Sequence, residues 1–184
     1  TVSFAHKGIG KPFFTALSQL VQTVAHFAFQ LLHLSAELAQ QGYSFEDIKE
    51  KVLEFQSYTH TLFCLESLTN LARNGRVNPA VAKIATALGI RVVGDAVGGQ
   101  LNPTLKPRGE KKALQTLMEQ MEIRGLFDGA LVRIAHCFNP AAAQELKDMI
   151  QKKYPNCRFI IEHTTALCSY YAEVGGLIIG YTNL

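Results

Sequence analysis

From residue 60 onward, six short apolar runs alternate with stretches of helical periodicity, and this alternation does most to restrict what the chain can fold into. The runs are His60–Leu65, Ile90–Val93, Gln100–Leu105, Ala130–Ala135, Cys157–Ile161 and Leu177–Tyr181. Short β-like runs with helical separators favour an α/β arrangement over an all-β sandwich. Gly98-Gly99 reads as a hairpin turn between the second and third runs, so a mixed sheet is expected rather than a purely parallel one.

The separators carry their own start signals. Asn78-Pro79 and Asn139-Pro140 repeat one device, in which asparagine accepts an orphan amide and proline takes the first helical position without losing a hydrogen bond. Val81, Ile84, Ala85 and Leu88 then predict one buried helical face, and Ala142, Leu146, Met149 and Ile150 another. A third helix is predicted from about Gly109 to Met121, burying Leu114, Leu117, Met118 and Met121. Ser44 with Asp47 three residues on has the form of a capping box, opening a helix whose expected buried face is Phe45, Ile48, Val52 and Phe55. Between Pro12 and Gln40 the apolar residues suggest one or two helices but no clean single face.

Composition excludes more than it identifies. At 184 residues, 48% hydrophobic and 18% charged, the chain can bury one sizeable core or two small ones. A net charge of +3 without blocks of one sign gives no support for nucleic-acid binding. No stretch approaches the ~20 apolar residues of a membrane span, and Thr1 to Gly10 lacks the features of a secretory signal, so a cytoplasmic location is expected. Cys64, Cys137, Cys157 and Cys168 form no C-x-x-C pair and fit buried, reduced thiols. His33 and Glu37 share a helical face with no third ligand suggested nearby, so no metal is expected.

Three signatures occur in order. Thr61 to Leu68 followed by Leu71 to Val77 joins an apolar strand to a short helix that ends at Gly75-Arg76; Pro107 to Leu114 opens a helix behind Arg108-Gly109; and Cys168 to Leu177 contains Ser169-Tyr170-Tyr171 and Gly175-Gly176. Together they resemble the DegV family of bacterial fatty-acid-binding proteins, over roughly Leu31 to Leu184. The resemblance implies an α/β fold with a mixed sheet, packed helices and two lobes. It also implies a long-chain fatty acid in an apolar tunnel and, in several members, presentation of its carboxylate to the ATP-binding subunit of a fatty-acid kinase. Such a chain is a binding module rather than an enzyme, needs no cofactor beyond the bound acid, and leaves room for transient contact with a membrane surface.

The serine- and glycine-rich loop and the aspartate-serine turn usual in the family's first lobe are absent between Thr1 and Gln30. Residues 1–57 are therefore expected to be an incomplete first lobe with connecting helices, and 58–184 an α/β lipid-binding lobe. Where many members have Gly-Thr-His, this chain has Ser169-Tyr170-Tyr171, so Ser169 and Tyr171 are the expected head-group donors; a carboxylate needs donors rather than a base. The expected tunnel lining is Phe63, Ile84, Ala85, Leu88, Val92, Ile134 and Leu177, with Ala82, Ala85 and Ala87 leaving room for an acyl chain. Arg76 and Arg108 are the expected contacts to a phosphate or a partner. Two alternatives stay open at this point: a small-molecule α/β enzyme with Cys137 or Cys168 as nucleophile, and a structural fragment that binds no ligand by itself.

Overall fold

The structure is a computed structural model that describes residues 34–183, excepting 76, 98, 99 and 165. After helical residues 34–40 (α1) come α2 (Phe45–Ser57), β1 (Thr59–Leu65), α3 (Thr69–Arg73), α4 (Pro79–Ala87), β2 (Val92–Val97) and β3 (Gln100–Leu105). The second half is α5 (Glu110–Ile123), β4 (Leu131–His136), α6 (Pro140–Lys153), β5 (Arg158–His163), α7 (Ala166–Ala172) and β6 (Leu177–Thr182). All six strands join one sheet in the order β3-β2-β1-β6-β4-β5. Only β4 and β5, linked through α6, run parallel; the other pairs are antiparallel, so the sheet is mixed as expected. Pro103, which can donate nothing to a ladder, lies on the edge strand β3.

The start signals act as the sequence implies. Ser44 Oγ accepts the Asp47 amide and the Asp47 carboxylate accepts the Ser44 amide, both at 3.3 Å. Asn78 Oδ1 accepts the Ala80 amide at 2.8 Å, and Asn139 Oδ1 the Ala142 amide at 3.2 Å. Each cap is worth about 1 kcal/mol.

Alternation along the strands gives the sheet two covered faces. Leu62, Cys64, Val93, Val132, Ile134, Leu177, Ile179 and Tyr181 point toward α5 and α6, whose Leu114, Leu117, Met121, Leu146 and Ile150 complete the larger core. Full burial of one such aliphatic side chain contributes ~1.5–3 kcal/mol. Phe63, Leu65 and Val92 point the other way, under a smaller cluster made by Leu68 and Leu71 at α3, Ala82 and Ala85 of α4, Cys137, and Tyr171 and Ala172 of α7.

Three expectations need correction. Helix α4 buries Ala82 and Ala85, while Val81, Ile84, Ala87 and Leu88 are exposed. Ala82 and Ala85 join Phe63 and Val92 in the smaller cluster, and the larger side chains of Val81, Ile84 and Leu88 face outward. Helix α2 buries none of its residues, and Phe45 is 76% exposed, because no described element packs extensively along the predicted stripe. Residues 166–172, which overlap the start of the third signature, form a helix that the sequence pattern does not predict. Most of the predicted Pro12–Gln40 helices, the region Thr1–Gln30, His33, the Gly98-Gly99 turn and Arg76 lie outside the described residues.

Candidate functional site at one end of the sheet

The three signatures meet where β1, β4 and β5 end and β2 and β6 begin. Glu66, just past β1, ion-pairs with Arg91 at 3.0 Å, and the same Arg91 nitrogen reaches Glu110 at the start of α5 at 3.1 Å. Glu110 also accepts from Asn139 Nδ2 at 2.8 Å, and Asn139 Nδ2 donates to the Gly175 carbonyl at 3.3 Å. Glu66 lies in the space that a β-carbon on residue 175 would need, and Gly175 has φ +95°, a backbone state that L side chains rarely adopt. A β-carbon on Gly176 would collide with the Ala172 carbonyl. Reciprocal 2.9 Å bonds, Cys137 N–H to the Gly176 carbonyl and Gly175 N–H to the Cys137 carbonyl, fix the glycine pair to the end of β4.

A second lacing holds α3 to α7. Asn70 donates its backbone N–H to Glu173 Oε1 at 2.7 Å and its side-chain amide to the Tyr170 carbonyl at 2.7 Å. Asn74 Nδ2 donates to Tyr170 Oη at 3.1 Å. Glu173 makes its contact from φ +54°, unusual for a residue other than glycine.

Beside this lacing lies a hydroxyl pair. Thr164, one residue past β5, donates its N–H to the His136 carbonyl at 2.9 Å, and its Oγ1 is 2.8 Å from Ser169 Oγ. Ser169 Oγ also donates to the Thr164 carbonyl at 2.9 Å. The single Ser169 proton is thus engaged within the chain, and a ligand carboxylate would have to draw it away. A charge-assisted bond is roughly twice as strong as a neutral one, so the exchange is chemically open. Tyr171 is buried in the smaller cluster, with its ring 5.0 Å from that of Tyr170. Residues two apart on a helix do not share a face. Ser169 and Tyr171 therefore do not converge on one point, because the segment carrying them is α7.

Of the expected tunnel residues, Phe63, Ala85 and Val92 meet in the smaller cluster. Ile134 and Leu177 belong to the larger core, on the opposite face, so the sheet itself separates them from the first three. Ile84 is 57% and Leu88 47% exposed. One tunnel lined by all seven is incompatible with this arrangement.

Arg108 is exposed; its backbone bridges to Ile90, directly before α5. Sequence reasoning missed Arg91, which joins the first two signatures, and Asn139, which joins the second to the third; only the helix-capping role of Asn139 was legible. It also missed Thr164 and the His136–His163 pair, whose ring centroids are 4.4 Å apart. The thiols are poorly placed as nucleophiles. All four are buried, burial pushes Cys64 and Cys168 up to about 11, and Cys137 Sγ points at the Ser169 carbonyl at 3.7 Å. Among the described residues no group of three or more His, Cys, Asp or Glu could hold a metal, and no helix is long and apolar enough to cross a membrane.

The family model described as "Uncharacterised protein, DegV family" matches residues 22–182. A DegV domain-containing protein of Streptococcus pyogenes serotype M1 is 39% identical over 153 residues, 82% of this chain and 54% of that protein. The chain thus spans about half the length of the curated relatives it matches. Among solved structures it is similar to a DegV family protein from Eubacterium eligens loaded with heptadecanoic acid, with 36% identity and a TM-score of 0.72 over 84% of this chain and 56% of that one. It is also similar to the Streptococcus pneumoniae Fatty Acid Kinase (Fak) B3 protein loaded with linoleic acid, with 34% identity and a TM-score of 0.73 over 84% and 55%. By the span of the family match and the identity to these relatives, the chain belongs to the DegV family.

Proposed function

We propose that the chain binds a long-chain fatty acid and presents its carboxylate to the ATP-binding subunit of a separate fatty-acid kinase, acting as a non-catalytic module of the bacterial cytoplasm. The observation that carries this reading is the placement of a hydroxyl pair, Thr164 and Ser169, at the rim of an apolar cluster, in a chain similar to proteins solved with heptadecanoic and linoleic acid. Cys137 links the two parts, since it belongs to the cluster and its thiol meets the Ser169 carbonyl. In this reading Ser169 and Thr164 receive the carboxylate. Phe63, Ala85, Val92 and Tyr171 flank the first carbons of the chain, and the outward-facing Ile84 and Leu88 serve its remainder. Residues 58–184 act as the lipid-binding lobe. Arg76 and Arg108 are assigned to the phosphate or the kinase.

The energetics allow it. Sixteen carbons bring roughly 14 methylenes at ~0.8 kcal/mol each, an upper bound of about 11 kcal/mol. Association and ordering cost ~4–15 kcal/mol, so tight binding requires a dry, preformed apolar channel and the carboxylate contacts mainly set orientation. The test is a paired measurement of oleate affinity and acyl-phosphate formation with purified kinase and ATP. Arg76→Ala is expected to spare oleate affinity and reduce acyl-phosphate formation; equal loss of both would make Arg76 a pocket or folding residue.

A further inference from the structure

The end of β4 buries an imidazole that the packing leaves incompletely satisfied. His136 is 3% exposed, and its Nδ1 has no hydrogen-bond partner among the described residues. Its ring meets that of His163, the in-register neighbour on parallel β5, edge-on at an interplanar angle of 63°. On β6 the residue opposite is Leu177. Helix α6 begins just beyond with no acid in its first turn, and a helix N-terminus carries partial positive charge. The hydroxyls nearby, Thr164 and Ser169, are neutral, and Glu110 at the start of α5 is engaged by Arg91 and Asn139. Among the described residues, the surroundings therefore offer an apolar side chain, a second imidazole and a positive helix end, and no acceptor at Nδ1 that would favour an imidazolium.

The same stretch of backbone supports the hydroxyl pair. The His136 carbonyl accepts Thr164 N–H at 2.9 Å, and Cys137 holds both the Ser169 carbonyl, through Sγ at 3.7 Å, and the glycine pair. Thr164, Ser169 and the glycine pair are thus all held through residues 136 and 137. We propose that His136 is a positioning residue whose neutral form holds the Thr164–Ser169 pair in place and whose protonation releases it, so that the site grips an acid ligand at neutral pH and loosens in mildly acidic surroundings. The ligand half of this inference rests on the fatty-acid reading; the conformational half does not. Burial, and then the neighbouring His163, lower the proton affinity of His136 below that of a free imidazole, in the direction the proposal requires.

The experiment follows the hydrogen-exchange protection factor of the Thr164 amide in the intact protein between pH 8 and pH 5, together with palmitate affinity over the same range. Wild type is expected to lose Thr164 protection by up to ~10-fold for each unit by which the His136 pKa is lowered. His136→Asn, which keeps a polar group but cannot titrate, should give a flat profile. His163→Gln should move the midpoint to higher pH and covers the case in which His136→Asn does not fold. Wild-type protection constant across the range, or a decline of equal size in His136→Asn, would overturn the proposal. Palmitate affinity should follow the amide curve in wild type. Absence of palmitate binding at every pH, with the amide curve intact, would sink the fatty-acid reading and leave the positioning role of His136 standing.

Discussion

The carboxylate of Glu66 lies where a β-carbon on residue 175 would stand, which joins the end of β1 to the turn before β6. The carboxylate is the far end of a flexible side chain and can move aside, but φ +95° at residue 175 stays strained for any other L residue. Gly175→Ala is therefore expected to cost about 1–3 kcal/mol, measured by denaturant unfolding. In Glu66→Ala/Gly175→Ala most of that cost should persist. Full rescue by Glu66→Ala would show that the collision, rather than the backbone, governs the site.

The contact between Glu173 and the Asn70 amide closes a loop across 103 residues of sequence and caps the short helix α3. Glu173→Ala removes the acceptor and should destabilise the protein by about 1–2 kcal/mol, with Glu173→Gln closer to wild type because it keeps an oxygen there. Hydrogen exchange should show the loss concentrated in residues 68–75. An equal effect of both variants would assign it to charge rather than to the cap.

His60 and His136 both have pKa values below the ordinary 6.5, each lowered first by burial, with the Arg124 cation adding to the effect at His60 and His163 at His136. The folded state therefore favours neutral imidazoles, and the unfolded chain binds more protons once the pH drops below that value. Their contribution to stability is complete above pH 6.5, declines as pH falls through 6.5 to the lowered values, and levels off beneath them. Tm should be lower at pH 5 than at pH 7.5, and His60→Asn/His136→Asn should flatten that interval. A wild-type Tm unchanged across it would contradict the burial of neutral histidines.

Helix α4 offers two tests that separate its inner and outer faces. Ala85→Trp overfills the smaller cluster at a cost of about 1–3 kcal/mol and, where a cooperative melt is retained, should abolish fatty-acid uptake. Ile84→Asp is on the exposed side and should fold normally. Reduced uptake in Ile84→Asp is expected if the acyl chain runs along the outer face; normal uptake in both folded variants would place it away from α4 altogether.

What could be read from the sequence was local. The short apolar runs and the caps at Ser44, Asn78 and Asn139 depend on residues a few positions apart, and all three caps and all six strands are present. The two faces of α4 could not be assigned, because hydrophobicity ranks Val81, Ile84 and Leu88 above alanine, whereas the fold buries Ala82 and Ala85. Ser169 and Tyr171 looked like a pair only while α7 was unrecognised. The links made by Arg91 and Asn139 have no local signal at all: each joins partners 19 or more residues distant in the chain, and only the fold brings them together.

The central claim, that this chain binds a long-chain fatty acid, is tested most directly by native mass spectrometry of the protein gently purified after expression in bacteria. The account predicts a species heavier than the polypeptide by the mass of one long-chain fatty acid, lost on solvent extraction and restored by added oleate. A spectrum of bare polypeptide that stays bare in excess oleate, from protein that melts cooperatively at an unchanged Tm with and without the lipid, would contradict it.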